Sequence, residues 1–289
     1  MIGQHFIRQY QDEYEEIRLL SRTENLGGKI KSYAWNPTTG EYDPRAFQNL
    51  DYLINLAGAG IADKPWTAER RKLIIDSRVD SLNTLLKALQ ETGSKPKMVV
   101  TASATGYYGD RGEEIVDEQS SPGASDSFLA STTQRWEEAA LRIDAAGYPL
   151  AVLRIGIVMS MEGGALPKLL MPLKVGMANY FGDGKPHTPW VHIDDITAMF
   201  AWLLKEEKTG IWNGTAPYPV SGKALAEALA KAKGGWMTAP VPAFLLKIGL
   251  GAMSETILTG ANVSSQKAVN AGFKFKFEKI DAALTDLLE

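Results

Sequence analysis

The sequence predicts an α/β fold, a doubly wound parallel sheet followed by a small, mostly helical C-terminal lobe. Two observations carry the prediction. Short apolar runs alternate with longer amphipathic segments over the first two-thirds of the 289 residues, the pattern of strands joined by crossover helices. A composition of 45% hydrophobic and 22% charged residues is that of an ordinary globular chain able to bury such a sheet.

The elements follow in order. Ile2, Phe6, Tyr10 and Tyr14 recur every four residues, one face of a helix. EIRLL (16–20) reads as a short buried strand and DYLINLAG (51–58) as a second, closed by small residues. Residues 67–92 predict a long helix with Ile75, Val79, Leu82, Leu86 and Leu89 on its buried stripe and Gly93 as its stop. KMVVTAS (97–103) is a strand, 127–146 a helix ended by Gly147, and LAVLRIGIV (150–158) a strand. TPWVHIDDI (188–196) reads as an extended segment feeding a helix to about Glu207, capped by Asp194 or Asp195. Helical patterning dominates from about 216, and FKFKF (273–277) predicts a brief strand before a final helix.

Composition also excludes several classes of function. Lys plus Arg total 31 against 34 Asp plus Glu, a net charge of −3, and no basic cluster stands out. That argues against nucleic acid as a partner. The absence of cysteine removes disulfides, thiolate metal sites and cysteine nucleophiles. Three histidines scattered at 5, 187 and 192 predict no metal centre. No apolar run approaches the roughly 18 residues of a membrane span, and the first sixteen residues are too polar for a secretory signal. A cytoplasmic protein with a small-molecule substrate is the expectation.

Ligands of open parallel sheets bind beyond the carboxyl ends of the strands. Those ends are Ser21-Arg22, Leu56-Ala57-Gly58, Ala102-Ser103 with Tyr107 and Tyr108 beyond them, and Gly156-Ile157-Val158. Small residues dominate three of the four, as close approach to a flat ligand requires. Arg22 stands where such folds read an adenosine ribose, and an arginine there suits a 2′-phosphate. The alternative is a solvated surface arginine.

The runs NLAGAGIADKPW, DSRVDSLNTLLKAL, TASATGYYGDRGEE, FLASTTQRWEEAAL and PWVHIDD resemble an atypical group of the short-chain dehydrogenase/reductase superfamily. That group is similar to NAD-dependent epimerases and dehydratases and carries a small C-terminal domain of unknown function. The resemblance spans nearly the whole chain. It implies a Rossmann-type NAD(P)-binding domain over 1–215, with substrate-side segments from about 160, and a small C-terminal domain over 216–289. The implied activity is hydride transfer or epimerisation on a small carbonyl, hydroxyl or nucleotide-sugar compound. Epimerase-like relatives also imply pairing as a homodimer through helices like 67–92 and 127–146. Arg22 points to NADP(H) over NAD(H).

Two departures from the family pattern matter. Its glycine fingerprint follows a first strand, and here both are missing; Gly3 matches the third glycine alone. The missing strand would lie between two others and bury three or four aliphatic side chains, roughly 5–12 kcal/mol at ~1.5–3 each. The expectation is that the polypeptide begins about ten residues upstream; the alternative is a compensating strand pairing. Second, the tyrosine and the lysine four residues on that relay the proton are replaced by Leu129 and Thr133. No tyrosine of the ten has lysine at that spacing.

Ser103 matches the upstream serine that holds the substrate oxygen. Tyr107 or Tyr108 could supply the missing phenol, with Arg78, at the family's asparagine position, providing positive charge or holding a carboxylate. The alternative makes both tyrosines wall residues and pairs Arg78 with Asp110 or Glu113. Trp190 and His192 fall on the substrate side; packing for the tryptophan and a structural role for the histidine are the favoured alternatives. The rival to an enzyme is a non-catalytic NADP(H)-binding regulatory or interaction protein that kept the fold after losing the relay.

Overall fold

Val, Leu, Ile and Ala fill several runs of the chain without polar alternation, and such runs bury both faces of a strand. The computed structural model describes residues 1–27 and 30–289. Its first part runs α1 (Ile2–Tyr10), β1 (Arg18–Ser21), β2 (Lys31–Asn36), β3 (Glu41–Tyr42), β4 (Tyr52–Asn55), α2 (Ala68–Thr92), β5 (Met98–Ala104), β6 (Ile115–Val116) and α3 (Phe128–Ala145). Then come β7 (Leu150–Ile155), β8 (Ile157–Met159), α4 (Leu166–Leu169), β9 (Met177–Phe181), β10 (His187–Thr188), β11 (Trp190–His192), α5 (Ile193–Lys205) and β12 (Gly210–Gly214). The last part holds β13 (Val220–Ser221), α6 (Gly222–Lys233), β14 (Met237–Val241), α7 (Ala243–Leu250), α8 (Glu255–Leu258), β15 (Asn262–Val263), α9 (Gln266–Asn270) and α10 (Ile280–Leu288).

The central sheet is parallel, in the order β12-β7-β5-β4. Leu53 sits opposite Val99, and Ala102 opposite Leu153. Helices α3 and α5 both lie against β5, and α2 and α1 pack on α3 and α5 respectively. The Rossmann-like fold is therefore as predicted. Helix α2 starts because Thr67 accepts the Arg70 amide and stops where Gly93 turns left-handed at φ 67°. Its buried stripe is Ile74, Leu82, Leu85, Ala88 and Leu89, rotated from the predicted one. Packing against both the sheet and α3 widens the buried arc, leaving Ile75, Val79 and Leu86 half-buried.

Three local expectations change. Helix α1 ends at Tyr10, yet Tyr14 still packs on Phe6 with ring centres 6.1 Å apart. Residues 273–277 form no strand, because their backbone is held by a side chain instead. The buried Asp195 carboxylate accepts the amides of Lys276 (2.7 Å) and Phe277 (2.9 Å). The cap of α5 is neither Asp194 nor Asp195 but His192, whose Nδ1 accepts the Asp194 amide at 3.0 Å.

Strands β1, β2 and β3 form a separate sheet, and β1 and β4 are the facing edges of the two sheets. Between them lies a cleft of about 910 Å³, lined by Leu20 of β1, Leu53 of β4, Ile2 and Phe6 of α1, Phe47, Leu85, Phe200 and Leu204. Apolar side chains from helices on both sides of the sheet thus converge on a slot without a strand. The C-terminal elements share a second core with the segments after β7: Met159, Leu166, Trp190, Leu225, Leu229, Phe277 and Leu284 pack together. Among the described residues no helix is long and apolar enough to cross a membrane.

Fusing an apolar, strand-forming segment with a glycine turn ahead of Met1 fills the slot. At about 5 kcal/mol or more, that raises the melting temperature by roughly 10 °C and lowers binding of an apolar dye. An unchanged melting temperature would make the split sheet the stable arrangement. Burial holds the His192 imidazole below its ordinary value of 6.5. Protonation therefore favours the unfolded chain, and stability is lost as pH falls below about 6.5. His192→Asn keeps an acceptor for the α5 cap and flattens the pH 7 to 5 slope of denaturant stability; an unaltered slope refutes the assignment.

Candidate functional site

The structure divides the predicted site residues among several local groups. Gly3, Leu56 and Ala57 line the end of the cleft between β1 and β4. Gly3 is tight against Leu56, where a Cβ would stand 3.3 Å from its Cδ1. The Ala57 amide is held by Asn55 Oδ1 at 3.1 Å. At the end of β1, Ser21 Oγ accepts the Thr23 amide (3.3 Å), while Arg22 is exposed and forms no ion pair or hydrogen bond among the described residues. Helix α1 opens on Met1 without a side-chain cap, so its first-turn amides lack that partner.

Beyond β5, a buried polar network organises the loop. Ser103 donates to Glu137 Oε1 at 2.7 Å. Arg154 of β7 grips the same carboxylate through Nε (2.8 Å) and Nη2 (2.7 Å). Its Nη1 donates to the Tyr108 hydroxyl (3.0 Å), which donates on to Asn213 Oδ1 (2.7 Å). The Asn213 amide is bonded to Glu118, whose carboxyl burial pushes up. Arg154 and Ser103 are 1% and 2% exposed, so the network is closed to solvent at its base. Glu137 and Arg154 were not singled out from sequence, although an arginine inside the apolar run LAVLRIGIV is the signal that marks a buried ion pair.

The two tyrosines part company. Tyr108 is fully buried, and burial pushes its phenol up to about 12; its proton is committed to Asn213. Tyr107 is half-buried, its ring face 3.4 Å from the Arg154 guanidinium, and its hydroxyl makes no hydrogen bond among the described residues. Arg78 bonds elsewhere: it donates to Ala59 and Ile74 carbonyls and lies over the Trp136 ring. It pairs with neither Asp110 nor Glu113. The Asp110 carboxylate is 3.5 Å from the Gly260 amide.

Leu129 and Thr133, which the resemblance sets at the relay positions, lie against the loop after β5: a Cβ on Gly106 would stand 3.4 Å from Leu129 Cβ. Thr133 spends its hydroxyl on the Leu129 and Ala130 carbonyls. Ala102 is buried in β5. Gly156 is small for a packing reason, since a Cβ there would lie 2.5 Å from Pro189 O. Ile157 donates its amide to the same oxygen, and Val158 is buried beside β11. Trp190 is buried with its indole bonded to Tyr218 O.

His192, Asp194 and Asp286 place ligand atoms within 4.8 Å of one another. Because Nδ1 of His192 accepts the Asp194 amide, its neutral ring carries the proton on Nε2, 3.3 Å from Asp286 without hydrogen-bond geometry. That tautomer offers a cation no lone pair. Asp194 is instead tied to His5 (2.8 Å) and Lys276 (3.0 Å), partners that hold its carboxyl below the usual range despite burial.

Comparison with known proteins places this geometry. Residues 1–213 match the NAD dependent epimerase/dehydratase family and residues 241–287 a domain of unknown function, DUF1731. Epimerase family protein YfhF of Bacillus subtilis (strain 168) is 30% identical over 289 residues, covering 99% of this chain and 94% of that protein. Epimerase family protein SAR0825 of Staphylococcus aureus (strain MRSA252) is also 30% identical, over 100% of this chain and 96% of its own. Among solved structures, human epimerase family protein SDR39U1 with NADPH superposes at a TM-score of 0.86 and 24% identity, covering 100% and 96% of the two chains. A nucleoside-diphosphate sugar epimerase from Corynebacterium glutamicum gives 0.78 at 28% identity over 100% of this chain and 56% of that one. With a family match over most of its length and relatives of equal extent, this chain belongs to the NAD dependent epimerase/dehydratase family.

Proposed function

We propose that the chain is an NADP(H)-dependent oxidoreductase or epimerase acting on a small carbonyl, hydroxyl or nucleotide-sugar compound in the cytoplasm. The observation that carries the cofactor assignment is Arg22, exposed and without a partner among the described residues at the carboxyl end of β1. A guanidinium there suits a 2′-phosphate, as an acid would suit a ribose hydroxyl. The small residue Ala57, at the end of the cleft beside Gly3, fits a dinucleotide alongside. The human neighbour SDR39U1 was solved with NADPH, which supports the same reading. When bound, the nicotinamide supplies or accepts the hydride.

The chain's own part is to hold the reacting oxygen and move a proton. Tyr107 is the group we assign to that proton, because its hydroxyl is uncommitted at the edge of the site while Tyr108 is locked in the network. Arg154 holds the Tyr107 ring by its face, and Glu137 fixes Arg154 by a two-pronged contact. Ser103 acts as a positioning residue through Glu137. A specific observation favours the second reading, a non-catalytic NADP(H) binder: the hydroxyls of Ser103 and Thr133 are both spent within the protein. Pairing of two copies through α2 and α3 remains part of the proposal under either reading.

Titration separates these readings. NADPH binds more tightly than NADH, and Arg22→Glu lowers NADPH affinity about tenfold or more, the loss of a charge-assisted contact. Equal affinities would remove the NADP assignment. With NADPH and a panel of aldehydes, ketones and nucleotide sugars, Tyr107→Phe abolishes turnover while leaving cofactor affinity unchanged. Binding without turnover in the unmodified chain selects the regulator.

A further inference from the structure

Residues 253–264, inside the segment that matches DUF1731, touch both walls of the candidate site. Their first arm reaches α3. Glu255 Oε1 accepts the Ser127 hydroxyl and the Leu129 amide (3.3 Å), while Ser127 Oγ accepts the Ala130 amide (3.1 Å). The Leu129 amide belongs to the first turn of an 18-residue helix, where no intrahelical carbonyl can serve it. A carboxylate from 126 residues further along the chain serves it instead, and the positive end of the helix favours that charge. Met253 and Leu129 also pack on the same apolar cluster, formed by Trp66, Ile74 and Phe128.

The second arm reaches the loop after β5. Gly260 O accepts the Arg111 amide at 3.0 Å. Strand β15 pairs in parallel with β6, Val263 opposite Val116, and the Ser264 amide bonds to Val116 O (2.8 Å). Ala261 and Val263 thereby share a buried cluster with Val116 and Tyr108, and Tyr107 packs against it. Between the arms, Gly260 approaches β10 so closely that a Cβ would stand 2.2 Å from His187 O. Only glycine fits there, which pins the segment at its middle.

The two walls meet at Gly106, where a Cβ would stand 3.4 Å from Leu129 Cβ. Gly106 lies in the short turn Thr105–Tyr108. A shift of the first turn of α3 is therefore passed by contact to the residue beside Tyr107. We propose that residues 253–264 are a clamp that sets the spacing between the first turn of α3 and the turn bearing Tyr107, with Glu255 as the positioning residue that acts through Leu129. The C-terminal domain then has a part in the reaction, because it seats the group that moves the proton. The clamp stands on these contacts; only its consequence for turnover rests on the proposed function.

The test uses the full chain with fluorotyrosine in place of Tyr107. Glu255→Ala shifts the fluorine resonance and speeds amide exchange in the first turn of α3 about tenfold or more. Glu255→Gln, which keeps the acceptor oxygen, stays near the unmodified values, and Glu278→Ala, at an exposed acid of the same domain, changes neither. Should Glu255→Ala fail to fold, Glu255→Asp, one methylene shorter, carries the test. With Tyr107 restored, NADPH and a converted substrate, Glu255→Ala lowers kcat about tenfold at unchanged NADPH affinity. Unchanged exchange overturns the clamp, and faster exchange with an unmoved resonance reduces Glu255 to a helix cap. A shifted resonance with unchanged kcat removes its positioning role. A shifted resonance in a chain that turns over no substrate leaves the clamp standing and overturns the enzyme reading instead.

Discussion

The buried pair of Glu137 and Arg154 is the contact on which the rest of the site depends. It joins the middle of α3 to β7, and through Ser103 and Tyr108 it reaches β5, the loop beyond it and β12. Removing one member of such a pair strands the other charge in a dry interior, at about 3–5 kcal/mol. The pair therefore fixes how α3 seats on the sheet. It also fixes where the Tyr107 ring stands, because that ring lies on the guanidinium face. The local arrangement of the site follows from a structural ion pair.

Much of the sheet was legible because burial on both faces writes itself as uninterrupted apolar runs: β4, β5 and β7 sit where their runs predict them. Strand β2 escaped notice. KSYAWN mixes exposed and buried positions, without a closing glycine or a neighbouring helix signal to mark it as a strand. Residues 273–277 mislead in the opposite sense, with strand-like alternation answered by a side chain rather than a neighbouring strand. A carboxylate eighty residues away leaves no local trace in the sequence.

At the site, position was easier to read than partnership. Strand ends can be inferred from pattern, so Gly3, Leu56, Ala57 and Arg22 could be named from the order of elements. What each side chain does there depends on neighbours distant in sequence. Ser103 reads as a substrate contact until Glu137 is seen to hold it, and Gly156 reads as room for a ligand until Pro189 is found against it. Glycine has two uses, a void for a ligand and a close approach of protein to itself, and sequence does not separate them.

The grip of Asp195 on the amides of Lys276 and Phe277 has a consequence for synthesis of the chain. Translation proceeds from the amino end, and the partners of this acid follow it by 81 and 82 residues. Until they leave the ribosome, helix α5 holds a carboxylate whose final acceptor role is vacant, beside the apolar surface that Phe277 and Ile280 later cover. The nascent body therefore cannot close this seam before Lys276 and Phe277 have emerged, and the second core is completed only after that.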